Sequence, residues 1–127
     1  MNESIKVISY KDLIVWQKAM DLVTLIYSLT QNFPQCEIYG LTSQMRRSAI
    51  SIPSNIAEGS RRGSLKENKH FLLIAYGSGA ELETQIQIAK RLSFCNNINF
   101  SKIDSLLDEV MRILNKLTTN YNLLTTN

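Results

Sequence analysis

From Ile103 to Leu124 the chain repeats one pattern without a break: Ile103, Leu107, Val110, Leu114, Leu117, Tyr121 and Leu124 recur at alternating steps of four and three. On an α-helix that spacing aligns the side chains along one seam, whereas a strand would scatter them over both faces. Ser101 with Asp104 resembles a helix-start signal just ahead of it, so the spacing predicts a helix over about residues 101–124. Such a helix needs partners to cover its seam.

The rest of the chain supplies them. Leu13, Trp16, Met20, Val23 and Tyr27 follow the same spacing and predict a helix over about 10–32, with Asp12 suited to its N-terminus. Ile14, Leu22, Ile26 and Leu29 widen this stripe enough to meet more than one neighbour, another subunit among them. Pro34 and Gly40 punctuate the connection, after which Thr42 or Ser43 is placed to cap a helix over about 42–62. Along that helix Leu41, Met45, Ala49, Ile52, Ile56 and Gly59 keep the helical step straight through Pro53. Proline removes the bond to the Ala49 carbonyl at a cost of about 3 kcal/mol, which predicts a kink, with Ser51 and Ser54 near the freed backbone groups. Gly59 sits in register with the apolar stripe and predicts close approach by another backbone or a ligand.

Arg61, Arg62 and Gly63 suit the end of this helix, and Ser64 with Glu67 forms a capping box that opens a third, over about 64–94. Its inner stripe is Leu72, Tyr76, Gly79, Leu82, Ile86 and Ala89. Small residues crowd Ala75 to Ala80, which costs helix propensity and predicts tight packing against a neighbour. Asn96 and Asn97 mark the next turn. The expected fold is all-α: one domain spanning residues 1–127, an antiparallel up-down-up-down four-helix bundle.

With 127 residues and 44% apolar content, the chain supports one core and one site or surface. No run of about 18 apolar residues occurs, and Met1 to Lys6 lack the order of a signal peptide, so a cytoplasmic protein without a membrane segment is expected. Cys36 and Cys95 are read as reduced thiols. The net charge is only +3, but it is unevenly placed: Leu41 to His70 holds six basic residues and two acids, a local surplus of four.

Several motifs invite chemistry and fall short of it. Glu67 and His70 have the spacing of a bundle metal motif, yet His70 is the sole histidine and Glu67 already serves the cap, so no metal is expected. A ribonuclease pairing of His70 with Arg61 or Arg62 is interrupted by a helix boundary. Neither cysteine has a nearby base, Gly77 to Gly79 lacks the strand and lysine of a phosphate loop, and Ser51 and Ser54 have no histidine to activate them. The expectation is therefore a protein that is no enzyme, with no catalytic residue and no cofactor.

The basic residues Arg46, Arg47, Arg61, Arg62, Lys66 and Lys69 remain as a candidate nucleic-acid surface. The two arginine pairs fall within about 60° of one another around a helix and about 20 Å apart along it, a spacing that can follow a phosphate backbone. No interleaved aromatic platform for base stacking is evident. Glu58 reads as a buried anchor, an intersubunit hydrogen-bonding group or an i, i+4 partner of Arg62. The competing function is a protein-interaction module whose arginines are solvated.

The run Arg46-Arg47-Ser48-Ala49-Ile50-Ser51-Ile52-Pro53-Ser54-Asn55-Ile56-Ala57-Glu58-Gly59, followed by Ser64, Lys66-Glu67 and Gly77-Ser78-Gly79-Ala80-Glu81-Leu82-Glu83-Thr84-Gln85, closely resembles the four-helix bundle family of 23S rRNA intervening-sequence proteins. Tyr10 to Ala19 is similar to that family's opening helix. A related branch comprises accessory proteins of diversity-generating retroelements, which form pentamers and bind nucleic acid through a basic surface. The resemblance implies a bacterial homo-oligomer, a pentamer in particular, with RNA or another nucleic acid as partner. It implies a structural role for Pro53, Asn55, Glu58 and Gly59, and phosphate binding by Arg46, Arg47, Arg61 and Arg62. Gly77 and Gly79 depart from the family pattern, where larger residues often appear.

Overall fold

The computed structural model describes residues 9–95, 98 and 100–125, with side chains through residue 119. The Met1 to Lys6 start, the Asn96 and Asn97 turn, and the side chains of Tyr121 and Leu124 lie outside the described residues. Four helices form the fold: α1 (Ile14–Thr30), α2 (Leu41–Ser60), α3 (Leu65–Arg91) and α4 (Ser101–Thr125). Short 3-10 turns at Tyr10–Asp12 and Gln35–Glu37 precede α1 and α2. Each helix packs on the next and α1 packs on α4, while among the described residues the backbones of the diagonal pairs stay apart.

Side-chain pairs fix the helix directions. Thr30 meets Arg46 while Tyr10 meets Arg61, so α1 and α2 run oppositely. Ser51 meets Ser78 while Gly59 lies against Asn68 and Phe71, which does the same for α2 and α3. Lys90 pairs with Asp104 and Gly79 abuts Met111, reversing α4 against α3. The expected up-down-up-down bundle is the observed one.

Its core register agrees with the sequence on three helices. Met45, Ala49, Ile52 and Ile56 of α2, Leu72, Leu82, Ile86 and Ala89 of α3, and Ile103, Leu107, Val110 and Leu114 of α4 are buried, with Tyr76 and Leu117 packed at the margin. On α1 the expected face is not the core face. Val15, Ala19, Leu22, Ile26 and Leu29 point inward, while Leu13, Met20 and Tyr27 stay exposed and Trp16 and Val23 are half-buried. The apolar arc of α1 is wider than the bundle interior, and tertiary packing selects which part of it faces inward.

The helix ends also differ from expectation for local reasons. Ser9 accepts a hydrogen bond from the Lys11 N–H at 3.2 Å and starts a 3-10 turn; extended Leu13 then delays α1 to Ile14, leaving Asp12 in the turn. Glu37, rather than Thr42 or Ser43, caps α2: its Oε1 accepts from the Leu41 N–H at 3.0 Å. The capping box at α3 forms, with Ser64 Oγ accepting from the Glu67 N–H at 3.1 Å. Ser93 adopts φ 59° and the Phe94 N–H reaches back to the Ala89 carbonyl at 3.2 Å, ending α3 in a left-handed cap at a serine.

Candidate nucleic-acid surface

α2 carries the motif that sets this surface, and it runs as one helix through a buried Pro53. Ser51 does not serve the backbone freed by the proline. Its hydroxyl shares a 2.7 Å hydrogen bond with Ser78 of α3 and accepts from Asn55 Nδ2 at 3.0 Å, while Asn55 Nδ2 also donates to the Ser51 carbonyl at 2.8 Å. Ser54 is exposed. Asn55 thus holds the hydroxyl that ties α2 to α3.

Gly59 is the other close-packed point. A Cβ there would lie 2.8 Å from Asn68 Oδ1, 2.9 Å from Phe71 Cβ and 3.1 Å from the Asn68 carbonyl oxygen. The glycine therefore lets the end of α2 touch the start of α3, through the Asn68 and Phe71 side chains and the Asn68 backbone. This draws Arg61 and Arg62 towards Lys66 and Lys69. Glu58 is exposed and pairs with Arg62 at 2.7 Å, which selects the i, i+4 reading over a buried anchor.

The six basic residues separate by their partners. Arg46 is half-buried against α1: its Nε donates to Thr30 Oγ1 at 2.8 Å and its guanidinium stands 4.4 Å from the Tyr27 ring centroid. Arg62 pairs with Glu58, reaches Glu67 at 3.9 Å and covers the Phe71 ring at 4.8 Å. Arg61 stands 5.5 Å from the Tyr10 ring centroid. Among the described residues, no carboxylate forms an ion pair with Arg46, Arg47, Arg61, Lys66 or Lys69.

The spacing expected between the arginine pairs acquires a direction. Arg46 and Arg61 both meet residues on the α1 side and Arg62 meets α3 residues, while Arg47 lines grooves on both sides, one against α3 and one shared with Tyr27 of α1. Along α2 the two arginine pairs stand about 22 Å apart. Beside Arg47 stands Tyr39, 95% exposed, on the connection into α2. Sequence reasoning passed over this aromatic because it lies outside every periodic stripe; its place directly before Gly40, at the mouth of a basic helix, was the available signal.

No other centre competes. His70 is exposed with its ring edge-on to Phe71, and among the described residues no three His, Cys, Asp or Glu side chains are grouped as metal ligands. Cys36 is exposed and Cys95 buried, and burial raises the Cys95 thiol pKa above its ordinary 9.0. No helix among the described residues is long and apolar enough to cross a membrane.

Among solved structures, the fold matches a crystal structure from Bacteroides thetaiotaomicron VPI-5482, a protein of unknown function from the S23 ribosomal protein family. The TM-score is 0.73 at 21% identity, covering 83% of this chain and 98% of that one. At that identity the likeness concerns the fold. A search of curated proteins finds no match. The family model for 23S rRNA-intervening sequence proteins matches residues 11–116, a span that includes Pro53, Gly59 and all six basic positions. By that match, the chain belongs to the 23S rRNA-intervening sequence protein family.

Proposed function

We propose that this protein is a non-enzymatic, self-associating bundle that binds structured RNA or another nucleic acid through the basic surface of α2 and the start of α3. The observation that carries the reading is the set of cations without carboxylate partners among the described residues, Arg47, Arg61, Lys66 and Lys69, gathered along α2, its C-terminal cap and the first turns of α3. Cations left unpaired on a protein surface are free to replace counterions at phosphates. The positive end of the α3 dipole lies beside Lys66 and adds to the same field. Arg46 and Arg62 extend it while held in place by Tyr27, Thr30 and Glu58.

Self-association draws support from apolar side chains left outside the bundle, including Leu13 just before α1, Met20 and Tyr27 on α1, and Leu73 and Ile88 on α3. A pentamer is the assembly that the family resemblance implies. The same exposed side chains favour a second reading, a protein-interaction module without nucleic acid.

Salt dependence separates the two. RNA binding by the wild type, measured across a salt series with oligomeric mass followed in parallel, is expected to weaken steeply with salt. An Arg47→Ala/Arg61→Ala/Lys66→Ala/Lys69→Ala variant of unchanged mass is expected to lose most affinity and flatten the logarithmic slope by about 3. A correctly assembled wild type that binds no RNA at low salt would move the conclusion to the protein-interaction module.

A further inference from the structure

The groove that Arg47 lines runs between α2 and α3, has a volume of about 510 Å³ and presents mostly polar groups. Ligand sites fall in this size range. Its wall contains the Ser51 and Ser78 hydroxyls, Glu81 and Gln85, with Tyr39 at its edge. Arg47 and Glu81 share the groove without forming an ion pair. Gln85 has a buried Oε1 that no donor reaches.

These groups sort by what they can bind. Arg47 offers a planar fork of donors to a phosphate. Tyr39 exposes its ring, the kind of surface on which an unstacked base lies. Glu81 on α3 contributes the two acceptor oxygens of an exposed carboxylate. The ligand should therefore carry an anionic group, a flat ring, and an edge rich in donors. Among the RNA bases, guanine alone places two adjacent N–H donors, N1–H and N2–H, on its Watson–Crick edge, matching the two oxygens of a carboxylate. Adenine, cytosine and uracil each set an acceptor beside their donor. The negative charge of Glu81 repels phosphate and so favours the orientation with the phosphate at Arg47.

We propose that the groove between α2 and α3 holds one unpaired guanine nucleotide of an RNA strand, with Arg47 on its phosphate, Tyr39 against the base and Glu81 accepting from its Watson–Crick edge. The inference rests on the nucleic-acid reading above and narrows it from a charged surface to a single-stranded, base-selective contact.

The test compares full-length protein binding to a short labelled oligouridine with binding to the same strand carrying one central guanosine, by fluorescence anisotropy. The guanosine is expected to raise affinity about tenfold, the discrimination of a good two-point contact to a base edge. Glu81→Gln should abolish that preference without weakening oligouridine binding, and Tyr39→Ala should weaken both strands about tenfold. Both positions are exposed, so circular dichroism and mass are expected to be unchanged. Equal binding of the two strands, or a preference that survives Glu81→Gln, overturns the groove assignment while leaving the salt-sensitive basic surface standing. Absence of binding to any RNA overturns both.

Discussion

Replacing Gly59 with alanine tests the contact that brings the ends of α2 and α3 together. An added Cβ would stand 2.9 Å from Phe71 Cβ and 3.1 Å from the Asn68 carbonyl oxygen, atoms tied directly to the α3 backbone and unable to swing aside. Overpacking of this kind costs about 2–3 kcal/mol, and the gain of helix propensity from glycine to alanine offsets about 1 kcal/mol of it. The net loss is about 1–2 kcal/mol, or roughly 4–8 °C in Tm for a domain of this size. Gly77→Ala is the control, since beyond the adjoining residues and backbone of its own helix nothing lies within 4 Å of the site of its Cβ. There only propensity changes, and a gain of about 1 kcal/mol should raise Tm by roughly 4 °C. Gly79→Ala falls between them, because its Cβ would push on the thioether of Met111, a side chain flexible enough to yield in part. Thermal melts followed by circular dichroism, with mass measured for each variant, order the three. A Gly59→Ala protein at least as stable as the wild type would refute the close approach, whatever the other two show.

Ser51→Ala and Ser78→Ala each strand one hydroxyl of the pair between α2 and α3, and each should cost about 1–2 kcal/mol in urea unfolding; the double variant should cost less than the sum, and strict additivity would count against a shared bond. Pro53→Ala is expected to keep its helical content while changing oligomeric mass or RNA affinity, and a variant unchanged in both would make the proline incidental. With a thiol reagent under native conditions, exposed Cys36 should react promptly and buried Cys95 only on unfolding; equal rates would contradict the burial. Because burial raises the folded-state pKa of Cys95, its protonated thiol favours the fold below the unfolded value, and this contribution should fade as pH climbs through the folded pKa, read as a falling Tm in Cys95-containing protein relative to Cys95→Ala.

By itself the sequence determined the number of helices, their approximate bounds and the buried seams of α2, α3 and α4; the seam is clearest on α4, where the apolar arc is narrow and one face alone satisfies it, and α3 keeps its seam although Leu73, Ile74 and Ile88 lie exposed outside it. It also marked Gly59 and the Ser64 cap, where backbone chemistry admits few residue types. The inward face of α1 was not legible: Leu13, Met20 and Tyr27 match helical spacing as well as Val15, Leu22 and Ile26 do, and periodicity carries no information about which arc the other helices cover. Nor were the partners of the charges. Apart from the Glu58–Arg62 pair, which local spacing offered, the six basic residues look alike along the chain, and only folding laid Arg46 on Tyr27, set Arg61 against Tyr10, and left Arg47 sharing a groove with Glu81 of α3. Those relations join residues distant along the chain, and they depend on how antiparallel helices slide into register, which packing decides and local sequence does not.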